Sequence, residues 1–243
     1  MSLYGRVPEL QIGSAGGTYT VEQLHSYMRI SESAGTNHLV SAAEYIVQVF
    51  RTNNIPVAIM GGFSLLLRGS PRETQDVDIA VGCTMLQLLQ VLSDQECILR
   101  PAGPVSGVMR IFVRMGGEID QAIEGTYVMV DIILHGSLGA PDDPRTSSEV
   151  VNVQTHLGLK AFPVLDVATI MSSKLGAFFG RGATSDFQDI SWLLDNFPEK
   201  IHNVRTQLNQ THRQAFVNTF AQRNPGSSNE NRVRRVRFSL GIP

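Results

Sequence analysis

Apolar positions along the chain alternate between two spacings, and each spacing predicts an element. Leu39, Ala43, Ile46, Val47 and Phe50 recur every three to four residues, so a helix is expected from Asn37, its N-cap, to about Asn53. A shorter helix is expected over Val21–Ile30. Pro56–Met60 and Val77–Val81 are compact apolar runs bounded by turn residues and predict buried strands. Between them Gly62–Arg68 predicts a short helix that Gly69-Ser70-Pro71 ends. Met85, Leu86, Leu88, Leu89 and Leu92 mark a helix over Met85–Leu92. Arg110–Met115 and Thr126–Leu134 predict two strands, read as a hairpin through Gly116-Gly117 and the acidic stretch after it. Two short strands are expected near Val150–Val153 and Leu159–Phe162.

The pattern then becomes helical. Asp166 caps a helix to about Phe179, Ser185 or Asp186 starts another to about Asn196, and a third is expected over Pro198–Gln222. The fold class is therefore α/β (α+β): a small mixed sheet with flanking helices in the N-terminal part and a helical bundle in the C-terminal part. The expected division is an N-terminal arm over 1–36, loosest over 1–20, a catalytic unit over 37–148, a mainly helical unit over 149–223 and a flexible basic tail over 224–243. Its main boundary is the Pro/Asp/Gly/Ser loop of 136–148. No internal repeat is present.

Composition narrows the class. With 243 residues, 42% hydrophobic and 17% charged, the chain can bury a sizeable core. Its N-terminus carries no apolar stretch resembling a signal peptide, and no apolar run nears the length of a membrane span. Cys83 and Cys97 form no metal pattern and read as free thiols in a reducing, cytoplasmic setting. The net charge of −2 is uneven: from Glu199 onward eight basic and two acidic residues give +6, leaving −8 on the rest. An acidic body with a basic end fits a metal-binding half and an anion-facing half, and equally a solvated basic C-terminus.

The candidate chemistry starts at Asp76 and Asp78. On a strand they face one side, with Val77 and Ile79 packed behind them. Like charges held together call for a counter-ion, and hard cations such as Mg²⁺ or Mn²⁺ prefer carboxylate oxygens. Asp131, between Val130 and Ile132, projects from its strand, and three acids converge if that strand lies beside the first. Two such ions about 3.5–4 Å apart can activate an attacking hydroxyl and neutralise a leaving group. On this reading Asp76 and Asp78 bridge both metals, and Asp131 holds the one nearer the acceptor hydroxyl. Gly61-Gly62 lies where a strand turns into a helix, so backbone N–H groups can approach a phosphate, and Ser64 can donate its hydroxyl. Neither a P-loop nor a dinucleotide fingerprint is present.

Gly61-Gly62-x-Ser64-Leu65, Gly69, Arg72-x-Thr74, Asp76-Val77-Asp78-Ile79 and the later Asp131 together resemble the nucleotidyltransferase superfamily with the polymerase-beta-type fold. The closer resemblance is to the branch holding the abortive-infection type IV toxin transferases. Lys174, Ala177, Arg181, Asp186, Asp189 and Ile190 are similar to that branch's second-half signature, with Ser185 where a lysine or arginine is usual. The resemblance covers roughly residues 37–197. It implies an NTP donor, ATP included, an acceptor hydroxyl and pyrophosphate release. It also implies that Lys174 meets the nucleotide phosphates, while an acid further on orients basic groups or joins the site. Lys174 and Arg181 lie seven residues apart, two helical turns, and can share a face; Arg181 would add a bidentate fork. An interhelical salt-bridge set is the alternative for these residues, with Asp189 as a structural partner of Arg181 or Lys174.

Arg72, between the glycine turn and the acids, is a further candidate for phosphate. Thr74 reads as a turn residue, Trp192 as core and His135 as a solvated strand end. Acceptors compatible with the sequence are a tRNA 3′ end, a protein hydroxyl or a small molecule, as in antibiotic adenylylation. A non-catalytic nucleotide-binding or interaction role is the rival.

Overall fold

The computed structural model describes residues 17–117 and 123–243. The expected arm at 1–16 and the acidic stretch after Gly117 lie outside the described residues. The chain runs β1 (Gly17–Tyr19), α1 (Val21–Ser31), α2 (Thr36–Thr52), β2 (Val57–Met60), α3 (Gly61–Leu66), β3 (Asp76–Val81), α4 (Met85–Ser93), β4 (Ile98–Pro101), β5 (Val108–Met115) and β6 (Thr126–Leu134). It continues through β7 (Ser148–Thr155), β8 (Gly158–Leu165), α5 (Val167–Arg181), α6 (Thr184–Asn196), α7 (Pro198–Val204), α8 (Gln210–Arg223) and α9 (Glu230–Leu240).

Among the described residues the strands form one mixed sheet in the order β1-β4-β5-β6-β3-β2-β8-β7. β3 is central, parallel to β6 and antiparallel to β2. Val77 and Ile79 of β3 and Val130 and Ile132 of β6 are fully buried on one face, against Ile46 and Phe50 of α2. Burial of that face fixes the strand register and leaves the opposite positions, Asp76, Asp78 and Asp131, for chemistry. The β5–β6 hairpin forms as expected, with Arg110 opposite Asp131. A smaller aromatic cluster packs Tyr19 and Tyr27 against Phe112.

Several boundaries differ from the sequence expectation. α2 begins at Thr36, ahead of Asn37, and the Gly35 N–H donates to His38 Nδ1 at 3.2 Å. β7 and β8, assigned beyond the Gly136–Ser148 loop, join the same sheet through the parallel pairing of β8 with β2. The single helix expected over Pro198–Gln222 is two, because Leu208 is buried and the Asn209 side chain caps α8 by accepting from the His212 N–H at 3.1 Å. The segment expected to be a flexible tail contains α9, with Val236, Leu240 and Ile242 buried beside α7 and α8. The N-cap of α5 matches expectation, since Asp166 accepts from the Thr169 N–H at 2.7 Å; the helix runs two residues past Phe179, to where Gly182 closes it at φ +63°.

Candidate active site

Register assembles the acids. β3 and β6 are parallel neighbours with Asp78 directly beside Asp131, and Asp76 lies two residues up the same face. Asp76, Asp78 and Asp131 each offer a carboxylate oxygen within 4.8 Å of the others. Burial, reinforced by the charges of Asp76 and Asp131, pushes the Asp78 carboxyl up to about 7. The group thus favours the proton until another positive charge takes its place. An all-oxygen donor set under mutual repulsion fits a hard divalent cation such as Mg²⁺ or Mn²⁺.

Asp131 is buried and its two oxygens accept from Arg110, Nε at 2.8 Å and Nη2 at 2.7 Å. That fork also raises the Arg110 pKa. A carboxylate oxygen has two lone pairs, so each atom keeps one for a second partner. The sequence analysis did not single out Arg110, one of two arginines in a strand otherwise apolar. Thr74, read as a turn residue, donates its hydroxyl to Asp76 Oδ1 at 2.8 Å.

The glycine turn serves the acids first. Met60 pairs with Asp78 across β2–β3, which puts Gly61 over that carboxylate. Gly61 has φ +64°, and a Cβ there would lie 1.7 Å from Asp78 Oδ2. A Cβ on Gly62 would lie 2.5 Å from Arg72 Nη2. The Ser64 hydroxyl, expected to reach a phosphate, is buried and donates to the Gly61 carbonyl at 2.7 Å.

Across from the acids runs an ion-pair chain. Arg72 forks Asp189 through Nε at 2.6 Å and Nη2 at 3.0 Å. Lys174 Nζ lies 2.8 Å from Asp189 and 3.6 Å from Asp186. Arg181 forks Asp186 at 2.7 and 2.9 Å, which raises its pKa. Asp186 and Asp189 are essentially inaccessible, whereas the Arg181 side chain is 63% exposed. Three cations on two acids leave a net positive charge facing outward. Asp189 therefore partners Lys174, one of the two expected, and Arg72 rather than Arg181.

A cleft of about 510 Å³ reaches from Asp78 to the ion-pair chain, with Gly61, Lys174, Arg181, Leu138 and His212 also in its lining. Asp76, Asp131, Gly62, Ser64 and Arg72 are not among its lining residues. Arg72 instead faces a second cavity of about 450 Å³ beside Phe187, Trp192 and Phe220. Trp192, read as core, is only partly buried, and His135 is exposed 3.4 Å from Asp142.

The fold resembles a solved antigenic nucleotidyltransferase-like protein from Paracoccidioides brasiliensis at 18% identity and TM-score 0.52, over 82% of this chain and 94% of that one. A solved putative nucleotidyltransferase from H. pylori is similar over 85% of this chain and 93% of its own, at 16% identity and TM-score 0.47. No curated protein matches the sequence significantly. No helix among the described residues is long and apolar enough to cross a membrane. The family model for nucleotidyl transferase AbiEii toxins of Type IV TA systems matches residues 49–239, and the chain belongs to that family.

Proposed function

We propose that the protein transfers a nucleoside monophosphate from an NTP to an acceptor hydroxyl and releases pyrophosphate, with Mg²⁺ or Mn²⁺ as cofactor. The observation that carries this reading is that Asp78, one corner of the carboxylate triad, lines the same cleft as Lys174 and Arg181. Asp76, Asp78 and Asp131 would hold the cation, which supplies charge neutralisation at the reacting phosphate. Thr74 and Arg110 fix the rotamers of Asp76 and Asp131. Asp131, held in place by Arg110, is the carboxylate that accepts the proton of the acceptor hydroxyl. Lys174 and Arg181 bind the β- and γ-phosphates and hold the leaving pyrophosphate, with Asp186 and Asp189 aiming them. Gly61 makes room for the Asp78 carboxylate. Gly62, Ser64 and Arg72 shape the turn and the ion-pair chain.

Residues 37–148 thus supply the acids and 149–223 the cations. Cys83 and Cys97 are free thiols, which supports a cytoplasmic setting. The acceptor is a tRNA end, a protein hydroxyl or a small molecule.

Calorimetry with each NTP and Mg²⁺, followed by pyrophosphate release with candidate acceptors, tests this. Wild type binds and Asp76→Ala/Asp78→Ala does not. Metal-dependent binding without release in any acceptor class would favour a nucleotide-binding role, and absence of binding by a folded wild type would sink the proposal.

A further inference from the structure

Leu138 is the one residue other than glycine and asparagine, among the described residues, with a positive φ, at +48°. A leucine is disfavoured there relative to glycine, because its Cβ crowds the following carbonyl. Its side chain nonetheless stays 65% exposed and lines the cleft. The turn that holds it is tightly fixed. Ser137 N–H donates to Leu134 O at 3.1 Å, Ala140 N–H to Ser137 O at 2.8 Å and Gly136 N–H to Ala140 O at 3.1 Å. The Ser173 hydroxyl of α5 donates to the Leu138 carbonyl at 2.9 Å, one residue before Lys174. Gly139 packs so closely on Ser173 that an added Cβ would lie 3.1 Å from it. The fold thus spends backbone strain to present an apolar side chain at the rim of a charged site, where nothing among the described residues covers it.

Helix α5 orders the cleft. Ser173 anchors the Leu138 end, Lys174 follows beside Asp78, and Arg181 comes eight residues after Ser173, about 12 Å further along the axis. Ile133, two residues beyond Asp131 on the same strand face, adds to the apolar end. A ligand that satisfies this order is neutral and flat at one end and polyanionic at the other. Resting on the proposed transferase reading, we infer that Leu138 is the contact for the donor's nucleobase, packing against its face while Lys174 and Arg181 take the phosphates. A leucine offers area but no donor or acceptor. The contact therefore tightens binding of all four NTPs without choosing among them.

The test is calorimetry in Mg²⁺ with the four NTPs and with inorganic tripolyphosphate, on wild type, Leu138→Gly and Leu138→Ser. Glycine removes the strain with the side chain, so its melting temperature should hold or rise. NTP affinity should fall roughly tenfold in both variants, the scale of a lost leucine contact, while tripolyphosphate affinity stays the same. Unchanged NTP affinity in the variants would overturn the inference and leave the transferase reading intact. Equal weakening of tripolyphosphate would also overturn it, by showing that the turn only shapes the phosphate site. A wild type that binds tripolyphosphate but no NTP would remove the transferase reading as well.

Discussion

A single hydrogen atom in place of a methyl group at position 61 decides whether Asp78 can sit where it does. Gly61→Ala places a Cβ on Asp78 Oδ2 and forces a positive φ on alanine. The expected loss is about 1 kcal/mol for the backbone plus roughly 1–3 kcal/mol for overpacking, measured by urea unfolding, together with loss of Mg²⁺ binding. Gly62→Ala meets the flexible end of the Arg72 side chain and, at 3.0 Å, the Thr74 hydroxyl, so it should cost less than Gly61→Ala and weaken Mg²⁺ binding less. Asp78 also sets a pH dependence. Its folded pKa of about 7 exceeds an unfolded value of about 3.9. The folded state thus binds the extra proton, and the contribution of Asp78 to stability without metal is fullest below about pH 4 and is lost as pH rises to about 7. Asp78→Asn should flatten this slope, melt a few degrees above metal-free wild type at pH 8, and lose the upward shift that Mg²⁺ gives wild type; an unchanged slope would assign the pH dependence elsewhere. Strand alternation made all three acids legible in the sequence. The role of Gly61 was not, since it depends on which residue lies across the β2–β3 pairing.

Pairing between elements governs Asp131. Arg110 reaches it because β5 and β6 are in that register, and no local pattern states a register. Arg110→Gln should leave a buried carboxylate beside Asp78 without its fork and destabilise by roughly 1–3 kcal/mol. Added Mg²⁺ should recover part of the loss in the same unfolding assay; no recovery would argue that Asp131 is not a ligand. A helix with a clear N-cap, such as α5 with Asp166, was readable from sequence to within a few residues. α9 was not, because four arginines mask its apolar spacing at Val233, Val236 and Leu240. A flexible tail would tolerate Leu240→Ala, whereas the buried position predicts a loss of about 2–5 kcal/mol.

At the scale of the whole molecule, the mixed sheet and helical second half were legible as a class, but the sheet's extent was not. β7 and β8 were read as part of the helical unit because strand order is a long-range property. The parallel register of Asp78 with Asp131 has a kinetic consequence. These residues are 53 positions apart in the chain, and their strands meet only after that long loop has closed. A cation shared by both would be a late, non-local contact of the kind absent from early folding nuclei. Divalent metal should therefore slow unfolding while leaving the refolding rate nearly untouched, giving the protein a longer lifetime in the folded state rather than a faster route to it.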